Sequence, residues 1–202
     1  MKLYITKTSP YARMARVVVR EKGLHADVDE EIARTREPGS PFYKINPSGR
    51  IPCLLLEDGS ILEDSPLIIS YLDQLKGRLQ FQKPEGSETW ANLSIEATAR
   101  AMVDGLSVWL REMRRAQHHR SPIIIAHEAE RANRLAEWWE GMTDHPLLTG
   151  PFNLTQLTLI TALELENGID GFEWRSKCPK LARWAEELAD RPSLAATRYP
   201  VS

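Results

Sequence analysis

Strand and helix signals alternate over the first 78 residues, and strand signals almost stop beyond residue 88. That change limits the architecture more than any bulk property does. It calls for an α/β unit followed by an all-helical one. Leu3-Tyr4-Ile5 reads as a short apolar strand. Ser9-Pro10 opens a helix, because Ser caps well and Pro suits the first helical position, and Gly23 is a natural stop. Residues 26–32 read as a second strand. Residues 33–48 are polar and broken by Pro38, Gly39, Pro41 and Pro47, so they are mostly loop.

Residues 52–56 form the next strand, Asp58-Gly59 a hairpin turn, and Ile61-Leu62-Glu63 its antiparallel return. Ser65-Pro66 repeats the Ser-Pro helix start. That helix carries Leu67, Ile68, Tyr71, Leu72 and Leu75 and ends near Gly77. The first domain is therefore 1–78, and the aperiodic stretch 79–87 with Pro84 and Gly86 is a linker. The second domain, 88–202, holds helical patterns over 88–117, 122–142, 154–167 and 179–190.

A net charge of -2 gives no electrostatic case for nucleic acid or an anionic membrane. No run approaches the roughly 20 apolar residues of a membrane span. Cys53 and Cys178 form neither a CxxC pair nor a metal-ligand spacing. Free thiols and a start without an apolar signal core point to the cytoplasm. His118-His119 follows a basic helix end, and adjacent side chains do not share a helix face, so no metal site is expected there.

Three short motifs could carry chemistry, and each also has a plain structural explanation. In Asn46-Pro47-Ser48-Gly49-Arg50-Ile51-Pro52, a cis Ile51-Pro52 bond would turn the Ile51 backbone outward for an extended peptide to pair with; an ordinary trans turn is the alternative. In Glu63-Asp64-Ser65-Pro66, a helix N-terminus favours an anion. Ser65 could hold a carboxylate and Asp64 an ammonium, and a γ-glutamyl group carries both; simple capping by Ser65 is the alternative. In Thr8-Ser9-Pro10-Tyr11, a hydroxyl at a strand-to-helix junction could donate to a thiolate and lower its pKa; again the alternative is a cap.

In their order and spacing these motifs resemble the cytosolic glutathione S-transferases, and the serine at position 9 resembles the bacterial, serine-type, theta-like branch. Phe152-Asn153-Leu154-Thr155-Gln156-Leu157 resembles the family's capping-box helix start, with Asn153 as cap and Gln156 in place of the usual Asp. Residues 179–184 and Arg191-Pro192-Ser193 resemble its final helix and ending.

The resemblance implies a thioredoxin-like N-terminal domain, an all-α C-terminal domain and a homodimer. It implies that Ile51 pairs with the cysteinyl part of glutathione before a cis Pro52, and that Asp64 and Ser65 hold the γ-glutamyl end. Arg50 would lie near the glycine carboxylate. Ser9 or Thr8 would face the sulfur, with Ser9 favoured and Tyr11 close by. Glutathione would be a co-substrate, conjugated to a small hydrophobic electrophile in a detoxification role, with no metal. Trp109 and Met113, four apart on a helix, are candidates for the electrophile pocket, although core packing also explains them. Two other outcomes fit the same scaffold: a non-catalytic binding or regulatory protein, and a glutathione-dependent isomerase or dehalogenase.

Overall fold

The computed structural model describes residues 1–81 and 89–200, and the chain divides into two compact units. One unit comprises residues up to 81 together with Pro192–Pro200, and the other comprises residues up to Arg191 from 89 onward. The expected linker at 79–87 falls mostly on residues outside those described, as does Glu88 at the start of the expected first long helix.

The first unit runs β1 (Lys2–Ile5), α1 (Pro10–Glu21), β2 (Asp29–Ile32), α2 (Phe42–Ile45), β3 (Cys53–Leu55), β4 (Ile61–Glu63) and α3 (Ser65–Leu75). Its four strands lie in the order β2-β1-β3-β4. β1 pairs parallel with β2 and antiparallel with β3, and β3 pairs antiparallel with β4. This mixed sheet with its helices is the thioredoxin-like domain expected from the sequence.

Side chains alternate across each strand. Leu3, Ile5 and Leu54 are fully buried on one side, and Tyr4 and Cys53 pack with Phe42 and Ala33 on the other. β2 is an edge strand carrying Asp29, Glu30 and Glu31, a charged edge of the kind that discourages further pairing. Glu30 is held there by Arg16 and Arg20 of α1, at 2.7 and 2.6 Å.

α1 begins as expected, with the Ser9 Oγ accepting from the Ala12 N–H and Pro10 at the first position. It stops at Gly23, whose φ of 61° places it in the left-handed region. The Gly23 N–H donates to Arg20 C=O and the Leu24 N–H to Val19 C=O, which together satisfy the last carbonyls.

α2 interrupts a segment expected to be mostly loop. A single turn shows no periodicity, and it is fixed by burial: Phe42 is 4% exposed with its ring centroid 5.4 Å from that of Tyr4. The hairpin turn forms at Asp58-Gly59 with Gly59 at φ 84°, and the Asp58 carboxylate accepts from the Ser60 N–H.

The final helix α10 (Pro192–Ala195) packs with this first unit. Arg13 of α1, fully buried, donates to Leu194 C=O at 3.4 Å and lies 4.7 Å over the Tyr199 ring. Ser193 donates to the Glu21 carboxylate.

The second unit is helical, with no strand among its described residues. It contains α4 (Thr89–Met113), a 3-10 turn at Gln117–His119, α5 (Pro122–Glu140), α6 (Pro146–Thr149), α7 (Leu154–Leu163), a second 3-10 turn at Glu164–Gly168, α8 (Trp174–Lys177) and α9 (Pro179–Ala189). α7 is the core. Every residue from Thr155 to Leu163 is buried, the polar Thr155, Gln156, Thr158 and Thr161 included, so the helix has no solvent face.

Asn153 caps α7 by accepting from the Gln156 N–H. Gln156 departs from the capping-box role expected of it. Its side-chain amide donates to the carbonyls of Leu147 and Gly150, each at 3.0 Å, and so closes the end of α6. The Glu140 carboxylate accepts from the Lys180 and Leu181 N–H groups and joins the end of α5 to the start of α9.

Candidate functional site

Strand register brings the three motifs to one end of the sheet. Tyr4 pairs with Cys53, and Cys53 pairs with Glu63, making one row across β1, β3 and β4. Just beyond that row lie the β1–α1 junction with Thr8 and Ser9, the Ile51-Pro52 turn, and the Asp64-Ser65 helix start. Segments far apart in the sequence are thus neighbours at the crevice end of an α/β sheet, where ligands bind by preference.

The Ile51-Pro52 bond is cis. Ile51 is half-buried, its side chain packed against the cluster of Tyr4, Phe42 and Cys53. Neither its N–H nor its C=O makes a hydrogen bond among the described residues. An unpaired donor and acceptor on one residue, at the start of a strand, are what an extended peptide needs for pairing.

The turn leading to it is tightly built. Asn46 is 1% exposed; its amide donates to Arg50 C=O at 3.0 Å, and its oxygen accepts from the Ser48 N–H at 3.1 Å. Ser48 accepts from the Arg50 N–H and donates to the Glu63 carboxylate at 2.5 Å. Gly49 has φ 67°, and a Cβ there would lie 2.7 Å from the Tyr43 ring, so no larger residue fits. Arg50 is exposed.

Asp64 has φ 82° and ψ 126°, a conformation that residues other than glycine rarely adopt. Such strain costs on the order of 1–3 kcal/mol and gathers at functional sites. The Asp64 side chain makes no capping hydrogen bond, so its carboxylate stays exposed and available for a cation. Ser65 follows as the first residue of α3 and is 5% exposed. With the N-terminal amides of the helix it offers donors to an anion.

Ser9 is half-buried and Thr8 exposed. The Ser9 Oγ accepts from Ala12, which leaves its proton free to donate elsewhere. Tyr11, half-buried, lies in the first turn of α1. Cys53 is fully buried. Burial, aided by the nearby Glu63 carboxylate, pushes its thiol pKa up to about 11.

Trp109 and Met113 lie on α4 in the second unit. Trp109 is 3% exposed, with its ring centroid 5.9 Å from that of Phe172, so its packing is that of a core residue. Met113 is half-buried at the end of α4. The rings of His118 and His119 in the 3-10 turn have centroids 4.0 Å apart and planes tilted by 53°.

Asn46, Ser48 and Glu63 stand within the motifs read from the sequence, but no role was assigned to them there. An Asn-Pro-Ser-Gly run is a signal for side-chain hydrogen bonding within a turn, so the roles of the first two were legible.

Residues 8–75 match the family described as "Glutathione S-transferase, N-terminal domain". The uncharacterized GST-like protein YibF of Escherichia coli (strain K12) is 28% identical over 204 residues, covering 99% of both chains. A probable glutathione transferase of Aplysia californica is 32% identical over 68 residues, covering 34% of this chain and 71% of that one. A glutathione transferase family member from Pseudomonas fluorescens Pf-5, solved with bound glutathione, superposes with a TM-score of 0.88 at 29% identity over 99% of each chain.

Proposed function

The chain belongs to the glutathione S-transferase family, and from that premise we propose that it binds glutathione in its first unit and transfers the thiol to a small hydrophobic electrophile. The observation that carries this reading is the row Tyr4-Cys53-Glu63, which gathers the Ser9 hydroxyl, the unpaired Ile51 backbone and the Asp64-Ser65 helix start at one end of the sheet.

In the proposed complex the cysteinyl backbone of glutathione pairs with Ile51 beside Pro52. Its γ-glutamyl carboxylate meets Ser65 and the α3 N-terminus, and its ammonium meets Asp64. Arg50 is the cation for the glycine carboxylate. Ser9 donates its free proton to the sulfur, which favours the thiolate and raises the fraction of nucleophile at neutral pH. Thr8, at the exposed end of the same junction, is the alternative donor. The thiolate then forms a carbon–sulfur bond and the leaving group departs with the electron pair. No metal is needed for this step.

Two further parts of the reading have their own support. A cytoplasmic location fits two free, buried cysteines. A homodimer fits the apolar Leu67 and Leu75 left 52% and 40% exposed on α3. Light scattering at twice the chain mass would support the dimer, and a monomer mass would remove it.

The test of the reaction is conjugation of glutathione to a chlorinated nitroarene. Wild type should turn over, Thr8→Ala should match it, and Ser9→Ala should be slower by about 10²-fold or more, as for loss of a donor to developing negative charge. An inactive wild type that is still retained on immobilised glutathione would favour a binding protein on the same scaffold.

A further inference from the structure

The Ser48 hydroxyl touches both halves of the site. It accepts from the Arg50 N–H at 3.0 Å, one residue before Ile51, and donates to the Glu63 carboxylate at 2.5 Å, one residue before Asp64. Ser48 is itself fixed by the Asn46 oxygen, and the same Asn46 holds Arg50 C=O. Glu63 is fixed from the other side, because the β-ladder pairs it with Cys53.

We propose that Ser48 and Glu63 are positioning residues that clamp the Ile51 turn to the Asp64-Ser65 helix start, setting the separation at which the two halves are offered to glutathione. The proposal rests on the glutathione reading above. Neither residue contacts the ligand in it; both act through the backbone next to them.

The Ser48–Glu63 bond is solvent-exposed, and its acceptor is charged. Hydrogen bonds to a charged acceptor are roughly twice as strong as neutral ones. Glu63 is half-buried at the end of its strand, and the Ile51 turn leads directly into β3, which pairs with that strand. The two backbone segments therefore cannot shift independently while the hydroxyl bridges them. Affinity for a ligand held at both ends depends on such pre-organisation.

The test measures glutathione affinity by calorimetry, together with KM for each substrate, in wild type, Ser48→Ala, Ser48→Thr, Glu63→Ala and Glu63→Gln. Loss of the bridge should weaken glutathione binding about fivefold or more in Ser48→Ala and Glu63→Ala. KM for the electrophile should stay unchanged. Ser48→Thr keeps the hydroxyl and Glu63→Gln keeps an acceptor, so both should recover most of the affinity. Amide exchange at Arg50, whose N–H donates to the Ser48 hydroxyl, should quicken in Ser48→Ala alone of the two Ser48 variants. If wild type binds glutathione and Ser48→Ala and Glu63→Ala bind it equally well, the clamp is wrong. Equal weakening by the Thr and Ala variants also overturns it, because only the hydroxyl is invoked. Wild type that does not bind glutathione overturns the parent reading, and this assignment with it.

Discussion

The Asp73 carboxylate lies 3.0 Å from the Lys22 ammonium, and the two side chains are 0% and 3% exposed. The pair is satisfied beyond its own contact. Asp73 accepts from the Gln80 and Phe81 N–H groups, and Lys22 donates to Arg78 C=O. It therefore fastens the segment after α3 to the end of α1. Asp73→Ala leaves a buried ammonium without its counter-charge and should destabilise the protein by about 3–5 kcal/mol, read from urea denaturation. Replacing both groups with apolar residues of similar size removes the uncompensated charge but still unpairs the Phe81 N–H and Arg78 C=O, so it should cost less than Asp73→Ala without being neutral. If the single and double variants lost the same stability, the pair would not be the source.

The α6–α7 corner depends on Gln156 as a donor. Asn153→Ala removes the cap and also the amide's bonds to the Leu147 and Pro151 carbonyls, so it should cost more than the about 1 kcal/mol of a cap alone. Gln156→Glu sets a carboxylate against the carbonyls of Leu147 and Gly150, so it should cost more than Gln156→Ala. Thermal denaturation of the three variants gives the order, and a Glu variant as stable as the Ala variant would contradict it.

Burial alone would raise the Glu30 pKa, but the hydrogen bonds from Arg20 and Arg16 outweigh it, and the pKa lies below the ordinary glutamate value. A depressed folded pKa contributes stability that is present above the unfolded value, about 4.3, and is lost as pH falls through the folded pKa. Glu30→Gln should therefore be less stable than wild type at neutral pH, and the gap should close in acid. A gap constant from pH 7 down into acid would disprove the linkage.

With its pKa at about 11, the Cys53 thiol exists as thiolate in roughly one molecule in ten thousand at pH 7. It is also fully buried. Native protein should resist a thiol reagent such as a disulfide dye at this position, and unfolding should expose it. Fast labelling of Cys53 in the native state would reveal opening of the β3 region.

Ser9 should show two separable effects. Its Oγ caps α1, so Ser9→Ala should cost about 1 kcal/mol of stability whatever the chemistry. Its free proton is assigned to the sulfur, so the same variant should also raise the pKa of bound glutathione. Thr8→Ala, at an exposed hydroxyl outside the cap, should do neither.

The first unit was legible because its signals are local. Ser9-Pro10, Asp58-Gly59 and Ser65-Pro66 each fix a turn or a helix start through chemistry within a few residues. The local residues left the Ile51-Pro52 bond open between cis and trans, and the family resemblance implied the cis form that is present. What escaped the sequence depends on partners distant along the chain. α2 is a single turn held by the Phe42–Tyr4 contact, too short to show a period. Gln156 has the composition of a capping-box residue, but the α6 carbonyls decide its direction. Glu63 joins the candidate site only because the β3–β4 register carries it to Ser48.

The central claim is that this chain binds glutathione as a thiolate with Ser9 as the donor. The most direct measurement is the ultraviolet thiolate absorbance of glutathione bound to wild type and to Ser9→Ala across pH. Free thiols of this kind ionise near 8.5. Bound glutathione should ionise about one pH unit or more lower on wild type, and Ser9→Ala should return it toward the free value. Absence of binding, or a bound thiol that titrates like the free one, would contradict it.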